Sequence, residues 1–118
     1  MVTSHEAHGA PLGTAAESAG AVSLTPALVL ACIDEGSATL AAALASRRFA
    51  LNVLTSSATG VARQFSGTPQ PKVFDDVAYT MVDGLPLLRD AAATLRCELH
   101  DIADGGPLTI LVGRVIDC

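Results

Sequence analysis

Ser23-Leu24-Thr25-Pro26-Ala27-Leu28-Val29-Leu30-Ala31-Cys32-Ile33-Asp34 is the stretch on which the fold turns. Proline has no amide to give to a strand ladder, so Pro26 belongs at a strand entrance. The apolar run 27–33 behind it offers no polar residue to either face. It reads as a central strand buried on both sides. The run ends in Asp34-Glu35-Gly36-Ser37, a polar turn that opens into an alanine-rich segment. Ser37 has the side chain of a helix N-cap, and Leu40 and Leu44, four apart among alanines, make one face of a short helix over 37–46. Ends of central strands are where ligands are held, so residues 34–39 are where function should be sought.

Working forward, Arg47 and Arg48 interrupt the helical pattern and residues 49–54 resume as a strand. Thr55, Ser56 and Ser57 can cap a second helix, to which Val61 and Phe65 give a four-residue apolar spacing and which Gly67, Pro69 and Pro71 end. After a short docking segment over 72–76, Val77, Tyr79 and Met81 alternate with polar neighbours as in a half-buried strand, and Asp83-Gly84 is a turn. Leu95, Cys97 and Leu99 alternate with Thr94, Arg96, Glu98 and His100, which puts His100 on a wet face. Asp104-Gly105-Gly106-Pro107 turns the chain, and residues 108–116 return as a partner strand.

Working backward, residues 14–22 are small and polar and lead directly into the central strand. They carry hydroxyls at Thr14 and Ser18 and a carboxylate at Glu17. Residues 1–13 have the turn-forming composition of an exposed hairpin loop, with Val2-Thr3 as the end of a strand. His5-Glu6-Ala7-His8 lacks both the helical His-Glu-x-x-His spacing and a third ligand, so it reads as a solvated turn and no metal site is expected. The sum is a mainly β chain, mostly antiparallel with two short helices: a small barrel rather than a doubly wound sheet.

Composition narrows the function. The chain has 118 residues, enough for one domain, with 50% hydrophobic and 16% charged residues, which excludes disorder and implies apolar surface covered by a second subunit. The net charge is −5 and no Lys or Arg precedes Arg47, so neither a nucleic-acid footprint, nor an anionic-membrane patch, nor a targeting peptide is expected. No apolar run is long enough to span a bilayer, which points to a cytoplasmic protein. Cys32, Cys97 and Cys118 are odd in number and far apart; the first two read as small core residues and the last as a free thiol.

No phosphate loop, dinucleotide fingerprint, nucleophile elbow or paired-cysteine motif is present, and no protein-borne nucleophile with a base is visible. What remains is two helix starts rich in hydroxyls, at 36–39 and 55–57. Each has free backbone amides and the positive end of a helix dipole, which can hold a phosphate without Lys or Arg.

Segments 23–33, 37–39, 49–54, Val61-Ala62-Arg63-Gln64-Phe65-Ser66-Gly67, 72–75, 84–88 and Gly113-Arg114-Val115 occur in an order and at a spacing that resemble the flavin reductase-like domain, an FMN-binding split barrel. The resemblance covers nearly the whole chain. It implies a homodimeric split β-barrel that binds FMN or FAD near the subunit interface. It also implies reduction of that flavin by NADH or NADPH and its delivery to a partner monooxygenase. A flavin brings its own hydride chemistry, so no catalytic residue is expected. Asp34, Ser37 and Thr39 stand where the family has Asp or Asn and a Ser/Thr pair facing the ribityl phosphate chain, and Thr14 and Ser18 are the hydroxyls nearest the family's segment before the central strand. These five are the cofactor-binding residues that the resemblance implies.

The chain departs from the family at Ala15, Glu17 and Ala19, where hydroxyl and aromatic residues are usual, at Ala58 in place of a common Gln, and at Leu108, where many members carry a His. The departures define the competing reading, a degenerate, non-catalytic flavin-binding or dimerisation module. Beside the family the chain begins within the first hairpin and stops before the final strand, so a single domain over 1–118, incomplete at both ends, is expected.

Overall fold

The computed structural model describes residues 1–7, 9–54, 78–89 and 91–118. Nine strands and one helix follow in the order β1 (Val2–His5), β2 (Pro11–Thr14), β3 (Ser18–Leu24), β4 (Ala27–Asp34), α1 (Ala38–Ser46), β5 (Arg48–Leu54), β6 (Tyr79–Val82), β7 (Leu85–Leu88), β8 (Ala91–Gly105) and β9 (Leu108–Asp117). Seven of them form one antiparallel sheet ordered β2-β1-β5-β8-β9-β4-β3, and β6 and β7 form a separate hairpin. The expected second helix, the segment 72–76, Val77, Ala58 and His8 lie outside the described residues.

The sheet curls. Val2 from β1, Val29, Ala31 and Ile33 from β4, Phe49 and Leu51 from β5, Cys97 and Leu99 from β8, and Leu111 from β9 meet in one buried cluster, closed on one side by Leu40 and Ala43 of α1. Its two edges, β2 and β3, are joined by only three residues, so the barrel is split rather than closed. The expected mainly β, antiparallel split barrel is therefore the architecture of the chain.

The decisive stretch forms β4, but its burial is one-sided. Val29, Ala31 and Ile33 face the core, whereas Leu28, Leu30 and Cys32 on the opposite face are half-buried. A sequence apolar on both faces states what must be covered, not what covers it. Across the ladder, Leu30 pairs with Val112 and Cys32 with Ile110, which are also half-buried, so these four make a continuous apolar outer face.

Four further expectations change. β1 and β2 pair as an antiparallel hairpin, with Val2, Thr3, Ser4, Leu12 and Gly13 buried rather than exposed. The small residues before β4 are not a lead-in: Ser18–Leu24 is the antiparallel partner strand of β4. Leu40 is buried, but Leu44 is 36% exposed, because the core meets α1 along Thr39, Leu40, Ala42 and Ala43. Cys32, expected in the core with Cys97, instead lies half-buried on the outer face of β4, because the core takes the alternate residues of that strand. Other expectations hold. Asp83 and Gly84 take φ of 50° and 81°, the left-handed pair required by a two-residue hairpin turn between β6 and β7. His100 is exposed on β8, Cys97 is buried, and Cys118 is an exposed free thiol. Among the described residues no helix is long and apolar enough to cross a membrane.

Candidate functional site

β4 ends where its ladder with β9 ends, at the Asp34–Leu108 pair. Asp34 folds the chain back on itself: its Oδ1 accepts from the Gly36 amide at 2.8 Å, and its carbonyl accepts from the Ser37 amide at 3.0 Å. This is an Asx turn, the local structure that a short carboxylate side chain favours. The Glu35 amide donates to the Pro107 carbonyl at 3.1 Å, which fastens the turn to the β8–β9 hairpin loop.

Ser37 then caps α1. Its extended backbone (φ −70°, ψ 132°) lets Oγ accept from the Thr39 and Leu40 amides at 3.1 and 3.4 Å. A hydroxyl that accepts twice still has its own proton to donate, so the cap can also serve an anion at the helix start. Ser37 and Thr39 are 8% and 3% exposed. Asp34, Ser37 and Thr39 thus lie together at one strand-to-helix junction.

Ser18 and Thr14 take different places. Ser18 opens β3 opposite Cys32, two residues before Asp34 on β4, hence on the same face and about 7 Å along the strand. The Glu17 amide donates to the Cys32 carbonyl at 2.9 Å, which holds the 15–17 link against β4 while the Glu17 residue remains exposed. Thr14 ends β2 opposite Val2, on the far side of the link. Ser18 therefore neighbours the Asp34 turn, and Thr14 belongs to the other wall of the barrel mouth.

Two cavities flank these residues. One, of about 450 Å³, lies beside the Asp34 turn and is lined by Glu35, Ile102, Ala103, Asp104, Gly106 and Thr109. The other, of about 350 Å³, lies between the link residues Ala15, Ala16 and Ala19 and the end of β5, with Leu51, Asn52, Val53, Leu54 and Met1 on its far wall. The second is predominantly apolar and suits a flat ring system; the first carries carboxylates.

The far wall of the apolar cavity was not legible in the sequence. Asn52 is fully buried, and its Nδ2 donates to the Met1 carbonyl (3.2 Å) and Thr3 Oγ1 (3.1 Å), while its Oδ1 accepts from the Leu88 amide (3.0 Å). A polar residue inside an apolar strand was the available signal. Leu108, the departure from the family's His, pairs with Asp34 and so stands directly beside the turn. Burial pushes the Cys97 thiol up to about 12, so it stays protonated and is no nucleophile. Among the described residues no cluster of His, Cys, Asp or Glu could hold a metal ion.

A split antiparallel barrel with an anion-ready helix start beside an apolar mouth is the arrangement of a flavin-binding class of protein, and comparison makes the assignment. The chain belongs to the flavin reductase like domain family, whose model matches residues 1–118. An NADH-dependent FAD reductase of Streptomyces globisporus is 35% identical over 111 residues, 90% of this chain and 61% of that protein. The structure of the Streptomyces globisporus NADH:FAD oxidoreductase SgcE6 with NAD and FAD fragments superposes with a TM-score of 0.88 at 34% identity, covering 98% of this chain and 70% of that one. HsaB of Mycobacterium tuberculosis, the reductase subunit of a flavin-dependent monooxygenase, is 34% identical over 106 residues, 89% of this chain and 56% of that protein. The chain spans less than two thirds of the length of both curated relatives.

Proposed function

We propose that the chain is a flavin reductase unit that uses NADH or NADPH to reduce FMN or FAD, acts as a cytoplasmic homodimer, and hands reduced flavin to a monooxygenase. The observation that carries this reading is the strand-to-helix junction at residues 34–39. It joins an Asx turn, a doubly accepting Ser37 hydroxyl and the start of a nine-residue helix, and a protein of this family would use that set to hold a phosphate. The relatives named above, an NADH-dependent FAD reductase and a monooxygenase reductase subunit, support the substrate and partner classes.

The residues fit a flavin. Ser37 and Thr39, with the first amides of α1, would hold the phosphate end. Asp34 holds the turn in shape, and the main chain of 14–18 with the alanines of the apolar cavity would meet the ring edge. A bound flavin supplies the hydride chemistry itself. The chain contributes binding, orientation and a dry wall, and the half-buried face of Leu30, Cys32, Ile110 and Val112 supplies a surface for a second copy. Three free thiols at Cys32, Cys97 and Cys118 suit a reducing compartment.

The test is a flavin fluorescence titration combined with NADH oxidation. Ser37→Ala with Thr39→Ala is expected to weaken FMN binding by about 1 to 3 kcal/mol, the cost of losing charge-assisted hydrogen bonds, with circular dichroism reporting that α1 is retained. Unchanged affinity would move the phosphate elsewhere. Binding by the wild-type chain without flavin-dependent NADH oxidation would favour the non-catalytic module, for which Leu108 beside Asp34 and the alanines at 15 and 19 are the specific observations.

A further inference from the structure

The apolar cavity has two walls of different construction. The near wall, Ala15, Ala16 and Ala19, presents only methyl groups and is tied down by the Glu17 amide on the Cys32 carbonyl. The far wall is the end of β5, which on one side pairs with β8 from Leu51–Leu95 to Leu54–Ala91. On the other side, where the ladder with β1 stops at the Val2–Leu51 pair, it is held by Asn52. Its main chain exchanges hydrogen bonds with Met1, the Asn52 amide donating to the Met1 carbonyl at 2.7 Å and the Met1 nitrogen to the Asn52 carbonyl at 2.8 Å. Its side chain bonds the same Met1 carbonyl and two more groups, Thr3 Oγ1 and the Leu88 amide. Thr3 Oγ1 in turn donates to the Pro86 carbonyl at 2.6 Å.

One buried carboxamide thus locks β5 to β1 in the sheet and to β7 in the separate hairpin. Strand pairing alone would not require this, because an apolar side chain at 52 could pack there without three partners to satisfy. Carboxamide and hydroxyl leave no buried polar atom without a partner, so the clip has a single satisfied geometry and resists sliding. The main chain of residues 52–54, which lines the cavity, inherits that fixed position.

We infer that Asn52 is a positioning residue for the flavin ring site: through its clip to Thr3 and Leu88 it sets the height of the cavity wall against which the ring lies. The inference rests on the flavin-binding reading proposed above. It concerns how the wall is held, not a contact between the Asn52 side chain and the ligand.

The experiment compares Asn52→Ala and Thr3→Val with Leu111→Ala, a truncation on β9, which contributes no residue to the cavity lining, in three readouts: melting temperature, FMN affinity by fluorescence titration, and the visible absorption spectrum of bound FMN. Asn52→Ala is expected to lower FMN affinity at least tenfold and to shift the bound-flavin absorption. Thr3→Val should do the same to a smaller extent, and Leu111→Ala at a similar loss of melting temperature should leave both unchanged. If Asn52→Ala does not fold, Thr3→Val carries the comparison. Wild-type affinity and spectrum in the folded clip variants would overturn the inference, as would an equal weakening in Leu111→Ala. A wild-type chain that binds no FMN would overturn the underlying reading itself, and is recognised before any variant is made.

Discussion

Gly113 shows how a single residue fixes the barrel's interior. It lies on β9 between Val29 of β4 and Leu99 of β8, and a methyl group built on it would stand 2.5 Å from Phe49 Cζ and 2.8 Å from Cys97 Cβ. Both neighbours are fully buried, so neither can retreat. Gly113→Ala is expected to cost about 1 to 3 kcal/mol by overpacking, measured by urea denaturation, and Phe49→Leu in the same chain should restore part of the loss. An alanine variant as stable as the wild type would mean that the aromatic ring moves aside freely. Asn52 teaches the complementary lesson. Its type was legible but its role was not, because the role depends on Thr3 and Leu88, 49 and 36 residues away along the chain.

At the scale of elements, what could be read from the sequence was what neighbours along the chain decide. The Asp34 turn and the Ser37 cap follow from side chains bonding to amides two or three residues on, and the β8–β9 hairpin from the alternation over residues 94–100 and the Gly-Gly-Pro loop that turns the chain. β3 gave no signal because Ser18, Ala19, Gly20 and Ala21 are small and exposed, so no periodicity marks an edge strand. Leu44 was misplaced because spacing identifies a helix face without saying how far along that face the core extends.

The β8–β9 pair carries the element-scale prediction. Arg96 on β8 grips Asp83 in the hairpin turn and Asp117 at the end of β9. The Arg96 guanidinium, followed by the Cys118 amide, holds the Asp117 carboxyl below its usual range. A carboxyl depressed on folding stabilises the fold above its unfolded value, about 3.9, and that contribution fades as pH falls through the lower, folded value. Amide exchange at the paired ends of β8 and β9, residues 96–97 and 115–117, relative to intrinsic rates, should therefore show protection lost on going below about pH 4. Arg96→Gln should show reduced protection already at pH 7 and little further change with acid. Equal protection in both chains at pH 7 would mean that the grip is incidental.

For the molecule as a whole, the question is what completes it. The outer face of Leu30, Cys32, Ile110 and Val112 borders the edge strand β3, which sets only the small residues Gly20 and Ser18 beside Leu30 and Cys32. Such a face suits the second copy proposed above. On that reading Leu30→Glu is expected to yield a folded monomer where the wild-type chain is a dimer, read by light scattering with circular dichroism as the control for folding. A persistent dimer would place the contact elsewhere. That β4 is apolar on both faces was legible in residues 27–33, but a single chain cannot show its own cover.

The hydrogen bond from the Glu35 amide to the Pro107 carbonyl also bears on where the chain can be altered. Hairpin tips are the usual place to insert an epitope tag or a reporter peptide. Here the β8–β9 tip is a strut of the Asp34 turn, so a graft between Gly105 and Gly106 would pull on Asp34 and Ser37. The β1–β2 tip at Gly9, where an added side chain would meet nothing within 4 Å, is the site of attachment that leaves the turn alone.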